Sequence, residues 1–398
     1  MTVQHKVPAI FMRGGTSKGV FFNRRDLPDE QALWDPIFLA VIGSPDPYGR
    51  QLNGMGGGIS SLSKVVVIGP SSHPEADVDY TFGQVAVDAP RVFYHNICGN
   101  LTSAVGPFAV DEGLVRAEGG EALVRIFNTN TSKIIHARFP LVAGQAAVEG
   151  DFVLAGVAGG GARIRLEFKD PGGAGTGRLL PTGHVTDTMD VPGLGEVRFS
   201  LVDATNPCAY VRADALGLTG AELPEALEAD PRVLALLEAI RGRCSVLLGR
   251  AETPEEAAVS AQNFPLVAFV APPADYVTLS GETVPAEQGD LLVRMISMGR
   301  PHRALPLSGS ICVAVASRIE GTVVHEVART PASPEDDVRV AHPSGILPLA
   351  ATVYRRDGAW HAEEGVVYRT ARRLMEGAVL VPASQMPAEA IPLTERAR

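Results

Sequence analysis

The sequence predicts an α+β fold of two similar halves, each a sheet wrapped around one apolar helix. Three observations carry this. Short runs rich in Val, Ile and Phe recur along the chain, and 42 glycines and 30 prolines supply turns between them. Two helical stretches, opening at Cys98-Gly99-Asn100 and at Ser308-Gly309-Ser310, are almost wholly apolar, and a helix apolar all round must be surrounded. Each follows a strand-rich approach, so the halves echo each other in layout, with the two helix starts expected to face each other across a cleft. The 398 residues suffice for two cores.

In chain order, residues 7–12 read as a strand, Arg13-Gly14-Gly15-Thr16-Ser17-Lys18-Gly19 as a turn, and 20–23 as the returning strand. The turn has the glycines of an anion loop, but neither the spacing of a phosphate-binding loop nor a helix after it. Residues 29–42 read as an amphipathic helix, N-capped by Asp29 and kinked or restarted at Pro36. Residues 54–64 form a second loop of glycines and serines, and Lys64 stands at the mouth of a strand over 65–68. Residues 82–94 alternate as strand around a turn at Asp88-Ala89-Pro90. A buried helix follows over 101–110, broken late by Pro107 and capped by Asn96 or Asn100. Strands are expected at 122–127, 133–139, 162–168, 196–202, 206–211, 264–271 and 290–297, with a helix within 224–241. The glycine-rich stretch 172–190 suits a linker, giving domains 1–185 and 186–398, the last segment returning to the first domain.

Composition narrows the function. A net charge of −10 argues against nucleic acid or an anionic membrane surface as partner. An anionic substrate would then need a local basic pocket. Cys98, Cys208, Cys244 and Cys312 lie far apart, in neither a zinc pattern nor a disulfide scaffold, which points to a reducing cytoplasm. The first 18 residues lack a signal-peptide layout and no apolar run approaches a membrane span. No metal or nucleotide motif appears, so no cofactor is expected.

The stretch Asn96-Ile97-Cys98-Gly99-Asn100-Leu101-Thr102 organises the chain. A thiol at a helix start feels the positive end of the macrodipole, and backbone N–H groups there can hold a carboxylate. Cys98 is therefore either a reactive sulfur beside an anion site or one more small buried residue.

With these residues in hand, the chain resembles the 2-methylaconitate isomerase (PrpF) family, within the diaminopimelate epimerase-like superfamily. The resemblance rests on Met12-Arg13-Gly14-Gly15-Thr16-Ser17-Lys18-Gly19, Gly43-Ser44-Pro45-Asp46, Gly54-Met55-Gly56-Gly57, Ser63-Lys64, Asn96 with Cys98-Gly99-Asn100, Pro181-Thr182-Gly183 and His342-Pro343-Ser344-Gly345, and covers nearly the whole chain. It implies a cofactor-independent isomerase moving a proton on an unsaturated di- or tricarboxylic acid. It also implies two domains, each a β-barrel-like sheet around a central helix, with the site in the interdomain cleft. Relatives of that kind include 4-oxalomesaconate tautomerases and 3-methylitaconate isomerases.

One departure from the wider superfamily bears on mechanism. Epimerases there oppose two cysteines as acid and base. Cys98-Gly99-Asn100 matches the first, but Ser308-Gly309-Ser310 falls where the second would lie. An alcohol is too weak an acid to partner a thiolate near neutral pH. The resemblance places Lys64 in the site, and Lys64 with Cys98 is the expected catalytic pair, with base and acid unassigned. Burial and a nearby cation would lower the Lys64 pKa toward that of a base. The expected substrate-binding set is Thr16, Ser17, Ser63, Asn100, Leu101, Thr102, Ser308, Gly309, Ser310, Arg300 and His302, through hydroxyls, helix-start N–H groups and basic side chains. Arg300, His302 and Arg303 read equally as a solvated loop. Cys312, one turn into the second helix, reads as core, and Cys208 and Cys244 as structural. A homo-oligomer and pairing with an aconitase-like dehydratase stay open. The reading from another class is a non-catalytic accessory protein to such a dehydratase, against which Cys98 and Lys64 together speak.

Overall fold

The computed structural model describes residues 3–94, 97–262, 264–333 and 336–386. The chain forms two compact units, Met1–Leu166 with Tyr368–Arg398, and Glu167–Val367. The glycine-rich stretch expected to be a linker belongs within the second unit. Asp203 Oδ2 accepts from the N–H groups of Gly175 and Thr176 and from the Thr176 hydroxyl, which pins the loop. The strand Asp187–Val191 follows and pairs with Gly195–Ala204.

In the first unit the strand order is Ala371–Pro382, Gln4–Gly14, Ser17–Asn23, Lys64–Pro70, Val78–Val85, Glu121–Asn128 and Lys133–Val142. The successive pairings run antiparallel, antiparallel, parallel, antiparallel, parallel, antiparallel. The helix Gly99–Asp111 touches strands from both ends of this order, so the sheet curls around it. Alternation along one strand shows the layering: the Phe21 ring meets Phe108 of that helix at 5.8 Å, while Phe22 stacks at 5.4 Å on Phe38 of the outer helix Trp34–Ile42. In the second unit the strands Asp187–Val191, Gly195–Ala204, Asn206–Arg212, Leu266–Ala271, Leu291–Ser297, Val338–His342 and Gly345–Arg356 repeat the same six pairings. There the helix Leu307–Arg318 occupies the place of Gly99–Asp111, and Pro231–Leu247 that of Trp34–Ile42.

Three helix expectations change. The first helix starts at Trp34 rather than near Asp29, which leaves Pro36 in the first turn, where a missing N–H costs nothing. The helix at Cys98 runs on through Pro107 to Asp111, because enclosure by the sheet outweighs one lost hydrogen bond. Its N-cap is Cys98 and not Asn100, which lies inside the first turn. Asn96 lies outside the described residues.

Candidate active site

The candidate site of the first unit is built where three chain segments end together. The hairpin of Gln4–Gly14 and Ser17–Asn23 turns at Gly15-Thr16. The helix Gly99–Asp111 begins against that turn, and only glycine permits the approach. A Cβ on Gly14 would lie 2.6 Å from the Asn100 carbonyl oxygen, and one on Gly15, whose φ is +53°, 2.3 Å from Asn100 Oδ1. A Cβ on Gly19 would lie 2.8 Å from the Lys64 carbonyl oxygen and 2.9 Å from Leu101 Cδ1. The start of the Lys64–Pro70 strand therefore lies at the same place.

Lys64 is 8% exposed. Its Nζ donates to Gln84 Oε1 at 2.5 Å and lies 4.9 Å from the centre of the Phe82 ring. Cys98 is 9% exposed, and its carbonyl oxygen accepts from the Tyr80 hydroxyl at 3.3 Å and from Thr102 Oγ1 at 2.9 Å. Tyr80, Phe82 and Gln84 are alternate residues of one strand, so they share one face of it. One row of side chains thus reaches both Lys64 and Cys98. Burial, with Cys98 beside it, holds the Tyr80 phenol well above its ordinary pKa, so it stays a donor.

The remaining first-unit candidates fall around this pair. Asn100 Nδ2 donates to the exposed Thr16 Oγ1 at 3.0 Å. Ser17 is buried beside the turn of the hairpin, opposite Gly14, and Leu101 and Thr102 are fully buried in the first helical turn. The Ser63 hydroxyl donates to Gln51 Oε1 at 2.7 Å and to the Ile59 carbonyl at 2.8 Å, so it braces the loop before Lys64.

In the second unit, Ser308 and Gly309 lie in the first turn of Leu307–Arg318, where the Ser308 carbonyl accepts from Thr205 Oγ1 at 2.9 Å. The buried Ser310 hydroxyl donates back to Pro306 O at 2.8 Å. Arg300 is exposed, and Arg303 pairs with Glu225 at 2.9 Å. His302 is largely buried, which lowers its pKa, and its Nδ1 accepts from the Ala304 N–H at 3.0 Å. Cys208, Cys244 and Cys312 are fully buried, and burial pushes the Cys312 thiol up to about 12.

Sequence reasoning missed three residues. Gln84 becomes visible only once the register sets it opposite Lys64. Gln51 is buried, with its Oε1 accepting from the Gly58 N–H and Ser63 and its Nε2 donating to Ser44 Oγ. Arg369 stands in the Tyr368–Arg373 run without any motif, yet it is buried and its Nε donates to Asn100 Oδ1 at 3.3 Å. Burial lowers its guanidinium pKa to about 10.

Comparison with known proteins finds relatives along nearly the whole chain. The chain is 41% identical over 387 residues to a 3-methylitaconate isomerase of Eubacterium barkeri, covering 97% of this chain and 100% of the relative. It is 42% identical over 391 residues to a 2-methyl-aconitate isomerase of Cupriavidus necator, covering 95% and 98%. A crystal structure of a methylitaconate-delta-isomerase superposes with a TM-score of 0.91 at 40% identity, covering 97% of this chain and 98% of that one. Fold and relatives together define an isomerase, and the accessory reading gives way. The family described as PrpF protein matches residues 4–382, and the chain belongs to it. Among the described residues no helix is long and apolar enough to cross a membrane.

Proposed function

We propose that this isomerase moves a proton on an unsaturated di- or tricarboxylic acid, with 2-methylaconitate as substrate and cis–trans interconversion as outcome. The observation that carries the reading is the pair Lys64 and Cys98, both contacted by the Tyr80–Phe82–Gln84 row. The 2-methyl-aconitate isomerases of Cupriavidus necator and Shewanella oneidensis, each 42% identical, support the substrate. The finer fold reading, a diaminopimelate epimerase-like sheet closed on a central helix in each unit, is supported by the repeated strand order.

Loss of a proton from a carbon flanked by a carboxylate and a double bond gives a delocalised dienolate. Its return after bond rotation interconverts cis and trans, and its return at another carbon moves the double bond. An anion on Cys98 Sγ meets the positive end of its helix, which suits the sulfur to remove the proton. The Gln84 oxygen and the Phe82 ring face both suit an ammonium at Lys64, which then returns the proton and neutralises developing negative charge. Thr16, Ser17, Asn100 and the N–H group of Leu101 hold carboxylates. Thr102, whose N–H and hydroxyl both donate to the Cys98 carbonyl, braces the helix start beneath them, and Ser63 positions the loop. Ser308, Gly309, Ser310, Arg300 and His302 are the second unit's substrate contacts. With substrate bound, hydrogen exchange should slow at the starts of both the 99–111 and the 307–318 helices. Slowing at the first alone removes the second-unit residues from the site.

A double-bond shift is the second reading, favoured by the 41% identity to the 3-methylitaconate isomerase of Eubacterium barkeri and by the TM-score of 0.91 to the methylitaconate-delta-isomerase. Incubation in deuterated water with a panel of unsaturated acids, followed by proton NMR, separates the two. Deuterium in 2-methylaconitate with a changing cis–trans ratio supports the first. Exchange only with double-bond migration selects the second, and no exchange with any acid overturns both.

A further inference from the structure

Among the described residues two buried cations of the first unit have no carboxylate partner: Lys64, held by Gln84 and the Phe82 ring, and Arg369. Arg369 is 6% exposed. Its Nε donates to Asn100 Oδ1 at 3.3 Å and its Nη1 to the Tyr368 carbonyl at 2.8 Å. Among the described residues its Nη2 makes no hydrogen bond and no carboxylate lies within ion-pair reach. Two other inward arginines have counter-ions. Arg241 meets Glu238 at 2.5 Å and Arg373 meets Glu112 at 2.6 Å. Arg294, in the second unit, has no carboxylate within ion-pair reach among the described residues. It donates to the carbonyls of Glu222, Val293 and Ala341, lies over the Tyr276 ring and leaves Nη2 buried without a partner, and none of these contacts is to a residue of the candidate site. A buried charge left unpaired is costly, and folds keep one where a ligand completes it.

The aim of Arg369 is fixed from both sides. Its neighbour Thr370 is clamped to the hairpin: the Gly15 N–H donates to the Thr370 carbonyl at 2.9 Å, and Arg13 Nη1 donates to the same oxygen and to Thr370 Oγ1, both at 3.0 Å. Asn100 orients the guanidinium, because its Nδ2 is committed to Thr16 and so Oδ1 faces Arg369. The planar fork therefore stands beside the first turn of the Cys98 helix with one arm unengaged.

We propose that Arg369 anchors a carboxylate of the substrate beside Asn100, and that this contact makes the enzyme select poly- over monocarboxylic acids. A guanidinium fork grips a carboxylate through two parallel hydrogen bonds, which an ammonium cannot reproduce. The nature of the ligand rests on the proposed function; the anchor itself rests on the unpaired cation.

The test compares wild type with Arg369→Gln and Arg369→Lys. With the active acid, Arg369→Gln should raise KM roughly ten- to a hundredfold, the range for a hydrogen bond to a charged group, and lower kcat less. Arg369→Lys should recover only part. Tricarballylate, a saturated tricarboxylate that cannot isomerise, should raise the wild-type melting temperature and leave that of Arg369→Gln unmoved. Without ligand, Arg369→Gln should melt at or above wild type, since it removes an uncompensated charge, whereas a structural arginine would lower it. A glutamine variant that fails to fold marks a structural arginine and overturns the inference in the same way. An unchanged KM, a retained tricarballylate shift, a wild type that tricarballylate does not stabilise, or a ligand-free destabilisation of the variant each overturns the inference. If no acid is isomerised but tricarballylate stabilises wild type and not Arg369→Gln, the anchor stands and the proposed function fails.

Discussion

Lys64 donates from Nζ to Oε1 of Gln84 at 2.5 Å, directly across the antiparallel pair of strands that carry them. Gln84 is itself held, since its Nε2 donates to the Ser63 carbonyl at 2.9 Å and the Ser60 carbonyl at 3.1 Å. The cation is thus placed by neighbours as well as by its own backbone. Lys64→Ala should lower turnover by roughly two to four orders of magnitude, the range for a general acid or base. Gln84→Leu should cost roughly ten- to a hundredfold, as one hydrogen bond to a charged group is lost. Melting temperature should move little in Lys64→Ala. Near-normal turnover in a folded Lys64→Ala protein would remove Lys64 from the chemistry.

This relationship also marks how far the sequence reads. The hairpin around Gly15, the loop before Lys64 and both apolar helices are legible, because glycine clusters and all-round apolarity report local sterics and enclosure. Gln84 is not legible, because its role depends on a cross-strand register that no local pattern encodes. Arg369 is hidden for the same reason: it is 269 residues from Asn100 in the chain. Asp29 and Asn100 look like helix caps by residue type, yet the helices begin elsewhere, since packing overrides a preference of about 1 kcal/mol. The stretch 172–190 has linker composition, but the Asp203 carboxylate turns it into a fixed loop of the second unit.

The close approach of the helix start to the hairpin should be sensitive to single methyl groups. Gly19→Ala places a Cβ 2.8 Å from the Lys64 carbonyl oxygen, so backbone must shift at a cost of about 1–3 kcal/mol. Gly15→Ala adds a left-handed φ to a contact with Asn100 Oδ1, and should lower both stability and turnover. Gly144→Ala is the control: its φ is +79° but its Cβ would meet open space, so it should cost only about 1 kcal/mol and leave turnover intact. Denaturant midpoints and kcat decide, and equal effects at all three positions would contradict the packing argument.

His302 should give the fold a measurable pH dependence. Burial lowers its pKa below the ordinary 6.5, and its Nδ1 accepts the Ala304 N–H at 3.0 Å, so the fold favours the neutral ring. On acidification the unfolded chain takes up this proton before the folded one does. The stabilising contribution is therefore complete above about pH 6.5 and is lost as pH falls through that value toward the lower folded pKa. Wild type should lose stability between about pH 7 and about pH 5 by an increment that His302→Gln lacks, since the glutamine oxygen can accept the same N–H at every pH. Parallel melting-temperature profiles for the two proteins would dismiss the role.

Cys98 should be the first of the four cysteines to react with iodoacetamide at neutral pH. It is 9% exposed, whereas Cys208, Cys244 and Cys312 are fully buried. Burial also raises the pKa of all three others: the Cys208 thiol is held well above its ordinary value, Cys244 is raised, and Cys312 is pushed up to about 12. A buried neutral thiol is inert, because only the thiolate is nucleophilic. A bound tricarboxylate should slow the labelling of Cys98 by covering the sulfur. Cys98→Ser changes the side-chain volume little and leaves the carbonyl that accepts from Tyr80 and Thr102 in place, so the fold should persist. Turnover should fall by roughly two to four orders of magnitude, since a hydroxyl titrates far outside the working range. Labelling read by mass spectrometry, with and without ligand, tests access and occupancy together. If another cysteine reacts first and ligand leaves Cys98 labelling unchanged, Cys98 is a structural helix start, and proton transfer through its sulfur is excluded.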